Sequence, residues 1–240
     1  MNAFVSRRAL ISSVSLAAMS AGLGACGISG GRSAGLSGSS SSVKSFEQKP
    51  LVQQKLESMT LEQKVAQLFL VTPEQLTGVS QAVVAGSATQ RALEDIPVGG
   101  LCYFAQNITG DQQLRDLLSG TYSMASRSGA GIAPFLTVDE EGGSLVSRVA
   151  NSGYFDVQRF PHMAEVGAAG DEAQAAHVGA AIGEYLHEIG FNVDFAPVAD
   201  VLTNPSNEVI GPRAFSSDPD VVAQMVSAEV LAMLDTGTMP

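Results

Sequence analysis

Cysteine is almost missing from this chain: Cys26 and Cys102 are its 2 thiols among 240 residues. Once Cys26 is committed to the role argued below, the other thiol can form neither a disulfide framework within one chain nor a multi-cysteine metal site. Cys102 lies in the apolar run Gly100-Leu101-Cys102-Tyr103-Phe104 and reads as a small buried hydrophobe. Positive charge is scarce as well. With 13 Lys and Arg against 24 Asp and Glu, the net charge of -11 argues against nucleic acid as a partner, since no basic cluster follows the amino terminus. Histidine is limited to His162, His177 and His187, which share no ligand spacing, so neither a metal centre nor a cofactor is expected. Gly142-Gly143 is not followed by the Lys and Ser/Thr that a phosphate cradle needs. The apolar stretch from Ala9 to Leu23 is too short and too rich in Ser, Ala and Gly to span a bilayer.

What that stretch does have is the build of an export signal, with Arg7-Arg8 ahead of it and small residues at its end. Leu23-Gly24-Ala25-Cys26 resembles a bacterial lipobox, which would make Cys26 the lipidated first residue of the mature protein; the alternative is an ordinary signal with an incidental cysteine. Ser6-Arg7-Arg8-Ala9 also resembles a twin-arginine signal, which leaves the export route open. From Gly27 the chain is dominated by Gly and Ser, a composition that cannot bury enough surface to order itself. The expected organisation is a signal over residues 1–25, a lipidated cysteine and flexible tether over 26–50, and one globular domain over 51–240. The protein would then sit on the outer face of the cell membrane or in the periplasm. Hydrophobic residues, at 45%, suffice for its core.

The domain reads as alternating β and α segments. A short amphipathic helix is expected over Leu51–Met59, and Thr60 with Gln63 makes a capping box for the next. Strands are expected at Leu68–Val71, Leu101–Phe104, Phe135–Asp139 and Val193–Val198. A partly helical polar stretch, Pro73 to Asp95, separates the first two strands. Between the later ones lie a helix from Asp111 to about Ser128, with Leu114, Leu117, Leu118 and Tyr122 on one face, and another opened by Asp171 and stopped at Gly190. A loop from Gly142 to about Gly170 would cross the mouth of the array. Asp218-Pro219 opens the final helix, which presents Val222, Met225, Val226, Met233 and Leu234 inward up to Gly237. Thr238-Met239-Pro240 then points into a fifth strand. Four complete strands are half of an eight-stranded β/α barrel, which usually takes about 250 residues.

The run Val138-Asp139-Glu140-Glu141-Gly142-Gly143 ends the third strand in three successive carboxylates and a glycine hinge. Chemistry in parallel β/α arrays gathers at the carboxyl ends of the strands, which makes Asp139 the first candidate. Arg148 and Arg213 fall on the same face, and Asp200 ends the fourth strand. Glu140 and Glu141 start in opposite directions if the strand continues, which leaves two readings open: one of them points inward, or both bond the turn amides of Gly142 and Gly143. Asn192 and Asp194 read as structural.

Taken with Met59-Thr60-Leu61-Glu62-Gln63-Lys64-Val65-Ala66-Gln67-Leu68-Phe69, Phe195-Ala196-Pro197-Val198-Ala199-Asp200-Val201 and Val209-Ile210-Gly211-Pro212-Arg213-Ala214-Phe215, this run resembles the amino-terminal barrel of family 3 glycoside hydrolases. The branch it is most similar to is that of the β-N-acetylhexosaminidases. The resemblance implies a TIM-type (β/α)8 barrel, of which this chain holds about the first four units. It implies an exported enzyme that removes terminal β-linked N-acetylglucosamine or a similar sugar. Asp139 would accept from two adjacent sugar hydroxyls, and Arg148 and Arg213 would donate forked hydrogen bonds. A bracing ion pair between Asp139 and either arginine is the alternative. In that family the acid/base and the nucleophile lie on and after a Lys-His-Phe-Pro-Gly-His-Gly segment, which does not occur up to Pro240. No catalytic residue is therefore assigned, and the chain as given is expected to be inactive. Two further readings are a solute-binding lipoprotein, which the order of the motifs disfavours, and a sugar-binding lipoprotein without catalysis.

Overall fold

Thr60 and Gln63 cap each other as their spacing predicts. The Thr60 hydroxyl accepts from the Gln63 amide at 3.2 Å, and the Gln63 side chain accepts from the Thr60 amide at 3.1 Å. In the computed structural model, which describes residues 50–240, the capped helix is α2 (Leu61–Ala66), preceded by α1 (Pro50–Ser58). The signal, Cys26 and the tether up to residue 49 lie outside the described residues. Helix α1 buries none of its residues, and Leu51, Val52 and Leu56 remain exposed.

The parallel strands β1 (Leu70–Val71), β2 (Gly100–Cys102), β3 (Phe135–Val138) and β4 (Val193–Asp194) form one sheet in chain order. Leu70 stands opposite Gly100, Leu101 opposite Leu136 and Val138 opposite Asp194. The strands are shorter than the apolar runs that predict them, for local reasons. The Leu68 and Phe69 amides bond back to Val65 and Ala66, which holds them in the turn leaving α2. Beyond β4, Phe195 still donates to the Val138 carbonyl at 2.9 Å, but Pro197 has no amide to extend the ladder. The fifth strand position is entered as expected: Met239 pairs with Val193, and the Asp194 amide donates to the Met239 carbonyl at 2.8 Å.

Helices α3 (Pro73–Thr77) and α4 (Ser87–Asp95) account for the polar stretch after β1, and α5 (Asp111–Ala125) follows β2. Tyr122 does not join the buried face of α5. Thr121 does, its hydroxyl accepting from the buried Tyr103 phenol at 3.1 Å, while Tyr122 is 45% exposed. The segment expected as a mouth loop holds a 3-10 turn (Ala150–Ser152) and a helix, α6 (Met163–Ala169). After it come α7 (Glu172–Ile189), capped by Asp171, and α8 (Pro219–Asp235), capped by Asp218. Residues Val222, Met225 and Met233 of α8 are buried as expected, but Leu234 is exposed and Glu229 lies fully inside. Gly179 and Gly183 let α7 approach α8, since a Cβ at either would collide with Glu229 or Thr236. The core between sheet and helices is built on Leu101, Leu118, Leu136, Ile182 and Leu186, with Tyr103 and Phe191 in edge-to-face contact at 6.0 Å.

Candidate functional site

Parallel strands bring their carboxyl ends to one rim, and the β3 rim carries Asp139, Glu140 and Glu141 in succession. Each takes a different course. Asp139 stays partly exposed on the rim. Glu140 turns inward and is fully buried: its carboxylate accepts from the Val149 amide at 2.7 Å, the Ala150 amide at 3.0 Å and the Tyr185 hydroxyl at 2.8 Å. Glu141 reaches sideways and accepts from Arg213 Nε at 2.7 Å and Nη2 at 2.6 Å. Neither glutamate bonds the glycine amides, so the inward reading holds and the turn-amide reading does not. The turn itself needs glycine. Gly142 and Gly143 have φ of 80° and 66°, and a Cβ on them would meet Met163 and His162.

The arm after the turn folds back antiparallel, with Ser147 opposite Glu140, and delivers Arg148 to Asp139. The Arg148 amide donates to the Asp139 carbonyl at 3.3 Å and Nη2 to the Asp139 carboxylate at 3.3 Å. The guanidinium lies over the Phe104 ring, 5.7 Å from its centroid. Its Nε is buried without a protein hydrogen-bond partner among the described residues. Arg148 is thus loosely engaged, whereas Arg213 is gripped: besides Glu141, its Nη1 donates to the Val209 carbonyl at 3.0 Å. The forked bond to Glu141 raises the Arg213 pKa above its ordinary value. Asp200 is exposed and adds only a nearby negative charge.

The sequence-predicted residues Asp139 and Arg148 therefore meet, and Arg213 is tied to the rim through Glu141 rather than Asp139. Cys102, at the end of β2 and in register with Thr137, is only half-buried; burial raises its thiol pKa, and Asp139 and Arg148 act on it electrostatically. His177 and His187 are exposed, and His162 sits 3.4 Å from the Ser144 hydroxyl. Asn192 is structural, bridging the Leu136 amide and the Pro134 carbonyl. Asp194 is structural too. Its Oδ1 accepts from the Glu140 amide at 2.9 Å, and full burial holds its carboxyl well above the ordinary range. The sequence leaves open which of Glu140 and Glu141 turns inward and places Tyr185 on the packed face of its helix; it shows neither the Tyr185–Glu140 bond nor the burial of Glu229. Glu229 had a signal: it falls at helical spacing with Val222, Met225 and Met233, on the apolar face.

An acidic rim laced to two arginines at the carboxyl ends of parallel strands has the layout of a β/α-barrel mouth, the end where the chemistry of such barrels gathers. The comparisons specify it. Residues 60–240 match the model of the glycosyl hydrolase family 3 N terminal domain, and the chain belongs to that family. It is 36% identical over 146 residues to beta-hexosaminidase A of Pseudoalteromonas piscicida, covering 59% of this chain and 24% of that protein. It is 28% identical over 180 residues to beta-hexosaminidase LpqI of Mycobacterium tuberculosis, covering 74% of this chain and 40% of that protein. Among solved structures it resembles a glycoside hydrolase family 3 beta-N-acetylglucosaminidase from a Paenibacillus species, with a TM-score of 0.65 and 30% identity over 75% of this chain and 32% of that one. The four parallel units are thus part of a TIM-type barrel. The chain spans less than half the length of these relatives.

Proposed function

We propose that these residues form the substrate-binding half of a β-N-acetylhexosaminidase site, with Asp139, Arg148 and Arg213 contacting the terminal sugar. The observation that carries the reading is the Asp139–Arg148 pair. A carboxylate with two acceptor oxygens, its side chain 22% exposed, stands beside a guanidinium side chain 29% exposed, both at the barrel mouth. Adjacent sugar hydroxyls can donate to the first and accept from the second. Arg213 brings a further guanidinium edge to the same rim, held by Glu141. The relatives' names supply the sugar class, β-linked N-acetylglucosamine or a similar hexosamine.

In this proposal the acid/base and nucleophile belong to the portion of the relatives' length that this chain does not span, so residues 1–240 alone bind sugar without cleaving it. Export, read from Arg7-Arg8 and the apolar stretch Ala9 to Leu23, and lipid anchoring at Cys26, read from Leu23-Gly24-Ala25-Cys26, complete the proposal. The test is hydrolysis of a chromogenic β-N-acetylglucosaminide by the complete gene product, set beside the product of codons 1–240 and a sequencing read past codon 240. Turnover by the first and not the second supports the reading. A complete protein that binds N-acetylglucosamine and cleaves nothing would make it a sugar-binding lipoprotein instead.

A further inference from the structure

We infer that Glu140, which never reaches the rim, is a positioning residue for Arg148: by gripping the two amides that follow Arg148 it fixes where the guanidinium meets the sugar. The inference rests on the sugar-site reading above and deepens it.

The argument starts from burial. A carboxylate with no exposed surface is costly unless its oxygens are bonded, and two of the three donors to the Glu140 carboxylate lie on one arm. Oε2 takes the Val149 amide and Oε1 the Ala150 amide, successive donors where the Ala150–Ser152 turn begins. Oε1 also takes the Tyr185 hydroxyl from α7, which pins the carboxylate from behind. The Glu140 amide donates to Asp194, anchoring the same residue to β4. A chain of bonds therefore runs from β4 and α7 through Glu140 to the peptide units next to Arg148.

Arg148 needs such an anchor because its own contacts are slack. Its bonds to Asp139 are both 3.3 Å, its side chain is 29% exposed, and the Phe104 ring centroid lies 5.7 Å from the guanidinium. Asp139 is fixed by the end of β3, so the separation between the two sugar-binding groups depends on where the arm lies. Misplacing a substrate-positioning group by about 1 Å can cost roughly 100-fold in rate.

The test is a double-mutant cycle in the complete protein, read as the dissociation constant for N-acetylglucosamine and as kcat and KM on a chromogenic β-N-acetylglucosaminide. Glu140→Ala should weaken binding and lower kcat/KM by roughly 10- to 100-fold, and Tyr185→Phe should act in the same direction more weakly. Glu140→Ala added to Arg148→Ala should bind no worse than Arg148→Ala alone, because the arm then carries nothing to position. Additive losses in the double variant, or wild-type binding by a folded Glu140→Ala, overturn the inference while leaving the sugar site in place. Wild-type binding by both Arg148→Ala and Asp139→Ala overturns the sugar-site reading, and the inference with it. If Glu140→Ala does not fold, Tyr185→Phe with Arg148→Ala runs the same cycle, and additivity there is equally fatal.

Discussion

Arg213 spends its fork on Glu141, Nε to Oε2 at 2.7 Å and Nη2 to Oε1 at 2.6 Å, and the two ends of this pair are unequally sheltered. The Glu141 side chain is 7% exposed and that of Arg213 21%. Removing the arginine strands a carboxylate inside the protein, whereas removing the glutamate leaves a guanidinium that water can reach.

Arg213→Ala should therefore destabilise the domain more than Glu141→Ala, by about 3 kcal/mol against appreciably less. Arg213→Lys should rescue little, since an ammonium cannot make two parallel bonds. Urea unfolding of the three variants decides it; a larger loss for Glu141→Ala would contradict the argument.

Asp139 is different, because its contact with Arg148 is long and partly solvated. Asp139→Ala should change stability by no more than about 1 kcal/mol while raising KM and lowering kcat in the complete enzyme. Unchanged kinetics would reduce Asp139 to a brace.

Glu229 sets a pH dependence. It lies fully buried between α8 and α7, neither oxygen has a protein partner among the described residues, and burial pushes its pKa from 4.5 up to about 8. Between those two values the folded chain holds a proton that the unfolded chain releases, so the stability contributed by Glu229 protonation is fully present below about pH 4.5 and is lost as pH rises to about 8. Glu229→Met should raise Tm at pH 8 and flatten the slope below it. Asp194, shifted the same way, leaves a residual slope. A Tm profile identical to that of the unsubstituted protein would refute the assignment.

Cys102 stands beside the rim with its thiol pKa raised by burial. In a Cys26→Ser background, alkylation should be slow at neutral pH and faster at alkaline pH. The alkylated protein should lose N-acetylglucosamine affinity while Cys102→Ser keeps it. Retained affinity after complete alkylation would place the thiol away from the sugar.

At the amino terminus the expectation is lipidation. Cells fed labelled palmitate should label the protein, and Cys26→Ser should abolish the label. Labelling that survives the substitution would discard the lipobox reading.

What could be read from the sequence and what could not divide along a physical line. Capping at Thr60, Asp171 and Asp218, the parallel strand order and the entry to a fifth strand follow from local spacing, and all are present. The meeting of Asp139 and Arg148 was one of two pairings left open, since both arginines fall on the same face. The hold of Glu141 on Arg213 joins residues 72 positions apart, and that of Tyr185 on Glu140 joins residues 45 apart. No periodicity encodes either. Helix α6 was missed because its Met-Ala-Glu-Val-Gly-Ala-Ala run is short and lies among glycines and a proline.

The three carboxylates at the end of β3 hold three separate posts: one stays on the open rim beside Arg148, one anchors an arm from within, and one grips an arginine from another loop. Side-chain direction reverses at each step along an extended backbone. Inserting or deleting a single residue between Val138 and Gly142 would hand every post to the wrong neighbour while hardly changing the composition. This stretch should accept some substitutions one at a time, whereas a shift in its length would abolish the site.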